Sequence, residues 1–363
     1  MIYTHTSEFL SVLIEREVMW LRKYIALYND RKYTVFAAGP YGRRFFNWLA
    51  NDYGIVAEFF IDNNSELNGQ TACGKTILQN PWETMSEFCN NFFVLISTKD
   101  TYYHEIARQL DEVGVPYLSS DAFSVVYYWE RCKTVVNYFN DDLSKISYLA
   151  VLWYWLTYDD RFVQTMNEQY FAVKAFSNPI GEIIIDAGAF VGDTVEEYLK
   201  KSVGDCTIYA FEPDKKLVNA LETRKNRLLA EWALSDNAIT IIPAGLGDKT
   251  RIVSFTQTGK KDAHIATSGE TGTQIKIHAL DDFFIDKHPP TLIKADIEGS
   301  ELGMLMGAVK LIKNTKPKLA ICIYHSLHDL VKIPEYIYNL NSEYQMSVRN
   351  HSGNYNETVL YCY

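Results

Sequence analysis

The chain has 363 residues, 47% of them hydrophobic, which is enough for two ordinary domains that each bury a core. Its 45 acidic residues against 35 basic ones give a formal charge of −10, which repels phosphate backbones and anionic lipid, and no local basic run offsets it, so nucleic acid is not an expected partner. Six scattered cysteines (Cys73, Cys89, Cys132, Cys206, Cys322 and Cys362) form no C-x-x-C pair, which suits reduced thiols in a cytoplasmic protein better than a disulfide scaffold or zinc cage.

The first residues lack the basic region and apolar run of a secretory signal. Apolar positions at helical spacing predict a helix over 7–28, with Ser7 placed to cap it and Asn29-Asp30 to end it. A strand pattern, Tyr33–Ala38, runs into Gly39-Pro-Tyr-Gly42 and a helix to about Asp52, and a second strand, Val56–Ile61, ends at Asp62. A third strand over Phe92–Ser97 and a helix from about Thr101 to Val113 extend this β-α-β unit into a small parallel sheet. Residues 1–123 are therefore expected to form a Rossmann-like α/β domain. Residues 124–177 read as a helical connector rich in Tyr and Trp. Its most apolar stretch, Tyr148–Thr157, has about half the roughly 20 residues that span a bilayer and reads as a buried helix. Aromatic side chains there also suit contact with a second copy of the chain, a homo-oligomer.

A second β-α-β series begins after Asn178-Pro179 and Gly181, which places a domain over 178–363. Seven strands are expected: Glu182–Ala187, Thr207–Phe211, Ile239–Pro243, Thr291–Asp296, Lys318–Tyr324, Gln345–Arg349 and Thr358–Tyr363. Helices are expected after the first, second and fourth. Arg251–Thr256 and Gln274–His278 read as a hairpin around the segment 257–273.

The strongest chemical signal is Glu182-Ile-Ile-Ile-Asp-Ala-Gly-Ala-Phe-Val-Gly-Asp-Thr194, an apolar strand, a turn of small residues and the start of a helix. Small residues let a ligand approach the backbone and let the helix sit against the strand. Glu212 ends the next strand, where a carboxylate accepts hydrogen bonds from the ribose hydroxyls of an adenosine ligand. Lys294, Asp296, Glu298 and Glu301 lie at the end of the fourth strand, where carboxylates suit a cationic ligand. Local chemistry accounts for some of them too, because Ser300 can cap the following helix while acids favour its N-terminus. His325 follows the fifth strand and is expected to face Asp296 as a base of near-neutral pKa. Asp296, Glu298 and His325 have no diagnostic ligand spacing, and neither does His325-x-x-His328, so no metal is expected.

Four segments occur in order: Ile184-Ile-Asp-Ala-Gly-Ala189, Tyr209-Ala-Phe-Glu-Pro-Asp214, Ala279-Leu-Asp-Asp282 and Leu292-Ile-Lys-Ala-Asp-Ile-Glu-Gly-Ser-Glu301. Together they resemble the FkbM family of methyltransferases over roughly 180–325. The resemblance implies a seven-stranded class I methyltransferase sheet, S-adenosyl-L-methionine as cofactor and O-methylation of a small-molecule hydroxyl, such as that of a sugar or nucleotide-sugar. It places Asp186, Gly188, Ala189, Phe190 and Gly192 in the cofactor turn, with Glu212 and Pro213 at the ribose and Asp296 beside the turn. Leu246 and Asp248, in Ala244-Gly-Leu-Gly-Asp248, would lie near the adenine. His325, Asp296 and Glu298 would serve catalysis. Family members often carry Asn where this chain has Phe190.

Two further motifs compete. Gly69-Gln-Thr-Ala-Cys-Gly-Lys-Thr76 spells a P-loop, but it follows no buried strand and leads to Pro81, so phosphate binding is not expected. Ala37-Ala-Gly39-Pro-Tyr-Gly42 with Asp62 approximates a dinucleotide fingerprint whose first glycine is Ala37. This part looks like the Rossmann-like domains joined to sugar-modifying enzymes, and Gly39, Gly42 and Asp62 form a candidate second nucleotide site. Two rival readings stand beside methyl transfer: a nicotinamide-dependent oxidoreductase acting through that site, and a non-catalytic nucleotide-binding scaffold.

Overall fold

The apolar runs just read become strands. In the computed structural model, which describes residues 6–85, 87–98, 100–256, 264–265 and 272–363, the chain divides into two units. One comprises residues 1–132 and 151–162, the other 133–150 and 163–363. The expected connector, 124–177, thus divides between them. It contributes the helices Ser120–Val136 and Asp142–Thr157, and Tyr148, Leu149, Ala150, Val151 and Leu152 of the latter are buried. Among the described residues no helix is long and apolar enough to cross a membrane.

The first unit opens with helix Ser7–Ala26. Its cap is Thr6 rather than Ser7: the Thr6 hydroxyl accepts from the Phe9 amide at 3.1 Å. Six strands follow, β1 (Lys32–Phe36), β2 (Phe60–Ile61), β3 (Thr71–Ala72), β4 (Lys75–Leu78), β5 (Phe92–Ile96) and β6 (Tyr117–Ser119), in the order β3-β4-β2-β1-β5-β6. All pair in parallel except β3 with β4. Strand β2 is shorter than the apolar run suggests, and Val56 is exposed. The P-loop-like segment is the β3–β4 hairpin. Cys73 and Gly74 link its strands with φ of +50° and +74°, two successive left-handed residues as in a type I′ turn.

The second unit continues with β7 (Glu182–Ala187), β8 (Cys206–Phe211), β9 (Ile239–Ile242), β10 (Gly245–Leu246), β11 (Arg251–Thr256), β12 (His264–Ile265), β13 (Thr273–His278), β14 (Leu292–Ala295), β15 (Lys318–Cys322), β16 (Met346–Asn350) and β17 (Thr358–Cys362). Seven of them form one sheet, β16-β17-β15-β14-β7-β8-β9. Every pair is parallel except those made by β17. Parallel strands are covered on both faces, so Ile184, Ile185, Ile208, Leu292, Ile293, Leu319 and Ile321 are fully buried. This is the α/β class with the expected strand count. The expected hairpin is present as β11 and β13, paired antiparallel in a second sheet, β10-β13-β11-β12; most of its intervening segment lies outside the described residues.

The helices Asp193–Ser202, Lys215–Glu231 and Glu301–Met306 stand where the alternation predicts. A further helix, Leu327–Leu340, follows β15 despite Pro334 within it. Ser326 caps it: its hydroxyl donates to Asp329 Oδ2 at 2.7 Å and accepts from the Asp329 amide at 3.2 Å. The Ala279–Asp282 motif proves architectural. Asp281 accepts from the Lys310 and Leu311 amides, both at 2.9 Å, and so holds the start of helix Val309–Thr315.

Candidate active site

At the carboxyl end of β7 the chain turns through Gly188-Ala-Phe-Val-Gly192 into a helix, the place where open parallel sheets bind ligands. Gly188 has φ +75°, and a Cβ built there would lie 1.9 Å from the carbonyl oxygen of Asp296, so the loop and the end of β14 touch backbone to backbone. Gly192 has φ +84°, and a Cβ there would meet Leu221 at 2.5 Å. Both positions therefore demand glycine. Ala189 is buried between them. Phe190 has φ +49°, a left-handed backbone that Asn adopts more readily than Phe.

The turn is held from below and from one side. Below it, the fully buried Asp186 pairs with Lys294 Nζ at 2.8 Å, and the same ammonium donates to the carbonyls of Gly188 at 2.8 Å and Ala187 at 3.3 Å. Burial pushes the Lys294 pKa down, but Asp186 and Asp296 outweigh it and keep the ammonium charged. Asp186 thus acts on the turn through Lys294. From the side, Glu212 at the end of β8 accepts from the Phe190 amide at 3.0 Å and from the Asp214 amide at 2.9 Å. Burial pushes this carboxyl up to about 7 against those two N–H groups. Pro213, half-buried, carries the chain on to Asp214, which caps helix Lys215–Glu231.

Beside the turn lies a group drawn from β14, β15 and the loops after them. Asp296 accepts from Tyr324 Oη at 3.1 Å and Tyr170 Oη at 3.3 Å, and its Oδ1 lies 3.2 Å from His325 Nε2. Burial raises the Asp296 pKa, but His325, Lys294 and the Tyr324 hydroxyl outweigh it and hold the carboxyl well below its ordinary range. His325 Nε2 is also 3.1 Å from Glu301 Oε1, and its Nδ1 is 3.8 Å from Glu298 Oε2. Burial alone lowers the His325 pKa; Glu301 and Asp296 together carry it well above the ordinary histidine value. Ser300 makes no side-chain cap to helix Glu301–Met306. The Glu301 carboxylate accepts from the Ile297 amide at 2.7 Å instead, across a loop in which Glu298 and Gly299 have φ of +55° and +89°.

The fold thus gathers Asp186, Gly188, Phe190, Glu212, Asp296, Glu298 and His325 around one sheet edge. Leu246 is buried on β10 of the second sheet, and Asp248 pairs with Arg251. His328 is buried within helix Leu327–Leu340. Tyr170 and Tyr324 were not legible as site residues, since Tyr170 lies in an irregular stretch and Tyr324 closes an apolar run. Glu301 was legible both as a carboxylate suited to a cationic ligand and as a helix-start acid. In the other unit, Asp62 Oδ2 accepts from the Ala38 amide at 2.8 Å and its Oδ1 from the Asn64 amide at 2.9 Å. Gly39 precedes the helix Pro40–Asn51, and a Cβ at Gly42 would lie 1.8 Å from the Ala37 carbonyl oxygen. Ala37 itself has φ +83°, a glycine-type backbone at the first position of the fingerprint. Asp62 therefore grips its loop through a backbone amide as Glu212 does.

The site's residues fit an adenosine ligand bearing a positive charge. Glu212 offers a buried carboxylate beside the turn, and Asp296 stays anionic. Comparison with known proteins agrees with the geometry. Residues 186–345 match the family model described as the Methyltransferase FkbM domain. The methyltransferase FkbM from Methylobacillus flagellatus KT superposes with a TM-score of 0.59 at 22% identity, covering 98% of this chain and 100% of that one, which shows a shared fold. UDP-D-quinovosamine 4-dehydrogenase from Vibrio fischeri aligns over 25% of this chain and 77% of its own at 22% identity and a TM-score of 0.22. Aeropyrum pernix fibrillarin, solved with natively bound S-adenosyl-L-methionine, aligns over 53% and 71% at 11% identity and a TM-score of 0.34. No curated protein matches the sequence. The small-residue turn at the edge of the seven-stranded sheet thus falls within residues 186–345, the stretch that matches the FkbM methyltransferase domain model.

Proposed function

We propose that this protein transfers a methyl group from S-adenosyl-L-methionine to a hydroxyl of a small molecule, a sugar or glycan precursor. The observation that carries the reading is the Glu212 carboxylate, buried at the end of β8 and bonded to the Phe190 amide of the glycine turn. S-adenosyl-L-methionine, when bound, supplies a methyl carbon on a positively charged sulfur, which an oxygen lone pair attacks while the sulfur leaves as a neutral thioether.

The chain's own residues bind and orient. Glu212 accepts from the ribose hydroxyls, the turn Gly188–Gly192 lies under the ligand's backbone-facing side, and Asp296 faces its positive charge. Asp296, Glu298 and His325 receive the acceptor. Asp296 remains ionised and accepts the hydroxyl's hydrogen bond, and the proton leaves through Glu298, whose side chain is 41% exposed at the rim. Positioning supplies most of the rate, because holding the oxygen about 3–3.5 Å from an already electrophilic carbon removes the entropic part of the barrier.

The test is calorimetric titration with S-adenosylhomocysteine. Glu212→Ala, folded as judged by circular dichroism, should weaken binding at least about thirtyfold, the loss of a charged acceptor worth roughly 2 kcal/mol or more. Unchanged affinity would remove the assignment. A parallel titration with NAD(H), expected to give no heat, separates this reading from the oxidoreductase acting through Gly39, Gly42 and Asp62.

A further inference from the structure

We propose that Asp296, Glu301 and His325 form a binding site for one divalent first-row transition-metal ion. One oxygen of each carboxylate and one imidazole nitrogen lie within 4.8 Å of one another. His325 Nε2 stands 3.2 Å from Asp296 Oδ1 and 3.1 Å from Glu301 Oε1. Donors bonded at about 2.1 Å to one shared ion lie about 3.0 Å apart in an octahedron and about 3.4 Å apart in a tetrahedron. The two distances fall in that interval.

Hydrogen bonding does not explain the arrangement. Despite two carboxylates within reach, His325 Nε2 is buried with no hydrogen-bond partner of proper geometry, so neither oxygen lies where a ring N–H would donate. Glu301 Oε2 is likewise buried and unpartnered, on a residue with no exposed surface. Native structures pair such groups or bind something to them. Charge points the same way. Asp186 and Lys294 cancel, and a protonated His325 balances only one of the two carboxylates of Asp296 and Glu301, whereas a divalent ion with a neutral imidazole balances both. The outer contacts are those of a metal centre: Tyr324 and Tyr170 fix Asp296, the Ile297 amide fixes Glu301, and Glu298 lies 3.8 Å from the far ring nitrogen. A mixed oxygen and nitrogen set suits Mn²⁺, Fe²⁺, Co²⁺ or Zn²⁺. The sequence expectation of no metal is revised because Asp296 and Glu301 share one stretch while the third donor, His325, comes from another that the fold brings beside it.

Three protein donors leave coordination positions open. Resting on the methyl-transfer reading, one of them takes the acceptor's hydroxyl oxygen and lowers its pKa, so that the proton departs through Glu298 and the oxygen keeps its lone pair for the methyl carbon.

The experiment uses the full chain freed of metal with a chelator. Mn²⁺ is titrated against the electron paramagnetic resonance signal of the free ion, and Zn²⁺ is followed by elemental analysis. The expected result is one ion per chain, bound at least about tenfold more weakly in Glu301→Gln and in His325→Asn. If a variant does not fold, the wild-type chain still reports, since Mn²⁺ should broaden the ring signals of one or two of the 8 histidines and spare the rest. Binding of neither ion up to about 1 mM, unchanged affinity in both variants or uniform broadening overturns the site. S-adenosylhomocysteine titrated into the same samples keeps the two claims apart. Its binding without metal binding spares the methyltransferase and sinks the ion, and metal binding without it does the reverse.

Discussion

On the proposed function, Glu212 ties protonation to ligand binding. Its folded pKa, about 7, lies above the ordinary 4.5, so the folded chain holds more protons than the unfolded one between those values. The carboxyl costs no stability below about pH 4.5, and its cost grows as pH rises to 7. Wild-type stability should therefore fall relative to Glu212→Gln across that window, as measured by urea denaturation at several pH values. On the proposed function ligand binding has the opposite preference, because only the carboxylate would accept from both the loop and the ribose. S-adenosylhomocysteine affinity should drop about tenfold per pH unit below 7, and Glu212→Gln should abolish the slope. Gly188 offers a steric test. Gly188→Ala forces a methyl to 1.9 Å from the Asp296 carbonyl at a φ of +75°, and a loss of about 3 kcal/mol or more is expected in the same denaturation assay. Glu212 was visible in the sequence because it ends an apolar strand at the right remove from a small-residue turn. Glu301 was visible less sharply, since an acid at a helix start also has a sufficient local reason to be there.

At the scale of elements, the strands of the seven-stranded sheet were legible as unbroken runs such as Ile183-Ile-Ile185 and Leu319-Ala-Ile-Cys-Ile323, because parallel strands are buried on both faces. Helix Leu327–Leu340 was missed although Ser326-Leu-His-Asp329 is a capping box; Pro334 and the buried His328 and Asp329 mask its period. The run Val56–Ile61 was overread, because only Phe60 and Ile61 find a partner strand. The β3–β4 hairpin shows turn chemistry overriding motif spelling. Asn tolerates the left-handed backbone of Cys73, so Cys73→Asn should stabilise the chain by about 0.5–1 kcal/mol, read as a rise in thermal midpoint.

For the whole molecule, every residue assigned to the cofactor lies in the unit that contains the seven-stranded sheet. S-adenosylhomocysteine at about 100 times its Kd should add about 2.7 kcal/mol of protection to amide exchange in β7, β8 and β14, and leave β1 and β5 unchanged. Equal protection in both sheets would mean that ligand binding is felt by both units. Local pattern by itself determined the α/β class, the count of seven strands and the glycine turn with its distant carboxylate, since each follows from periodicity and from backbone freedom over a few residues. Only the tertiary structure decided that Asp186 acts on the turn through Lys294, that Leu246 lies on β10 of a second sheet, and that Asp296, Glu301 and His325 converge. Their convergence depends on β14 and β15 lying side by side, a pairing made in space between residues far apart in the chain, and so no spacing along the sequence records it.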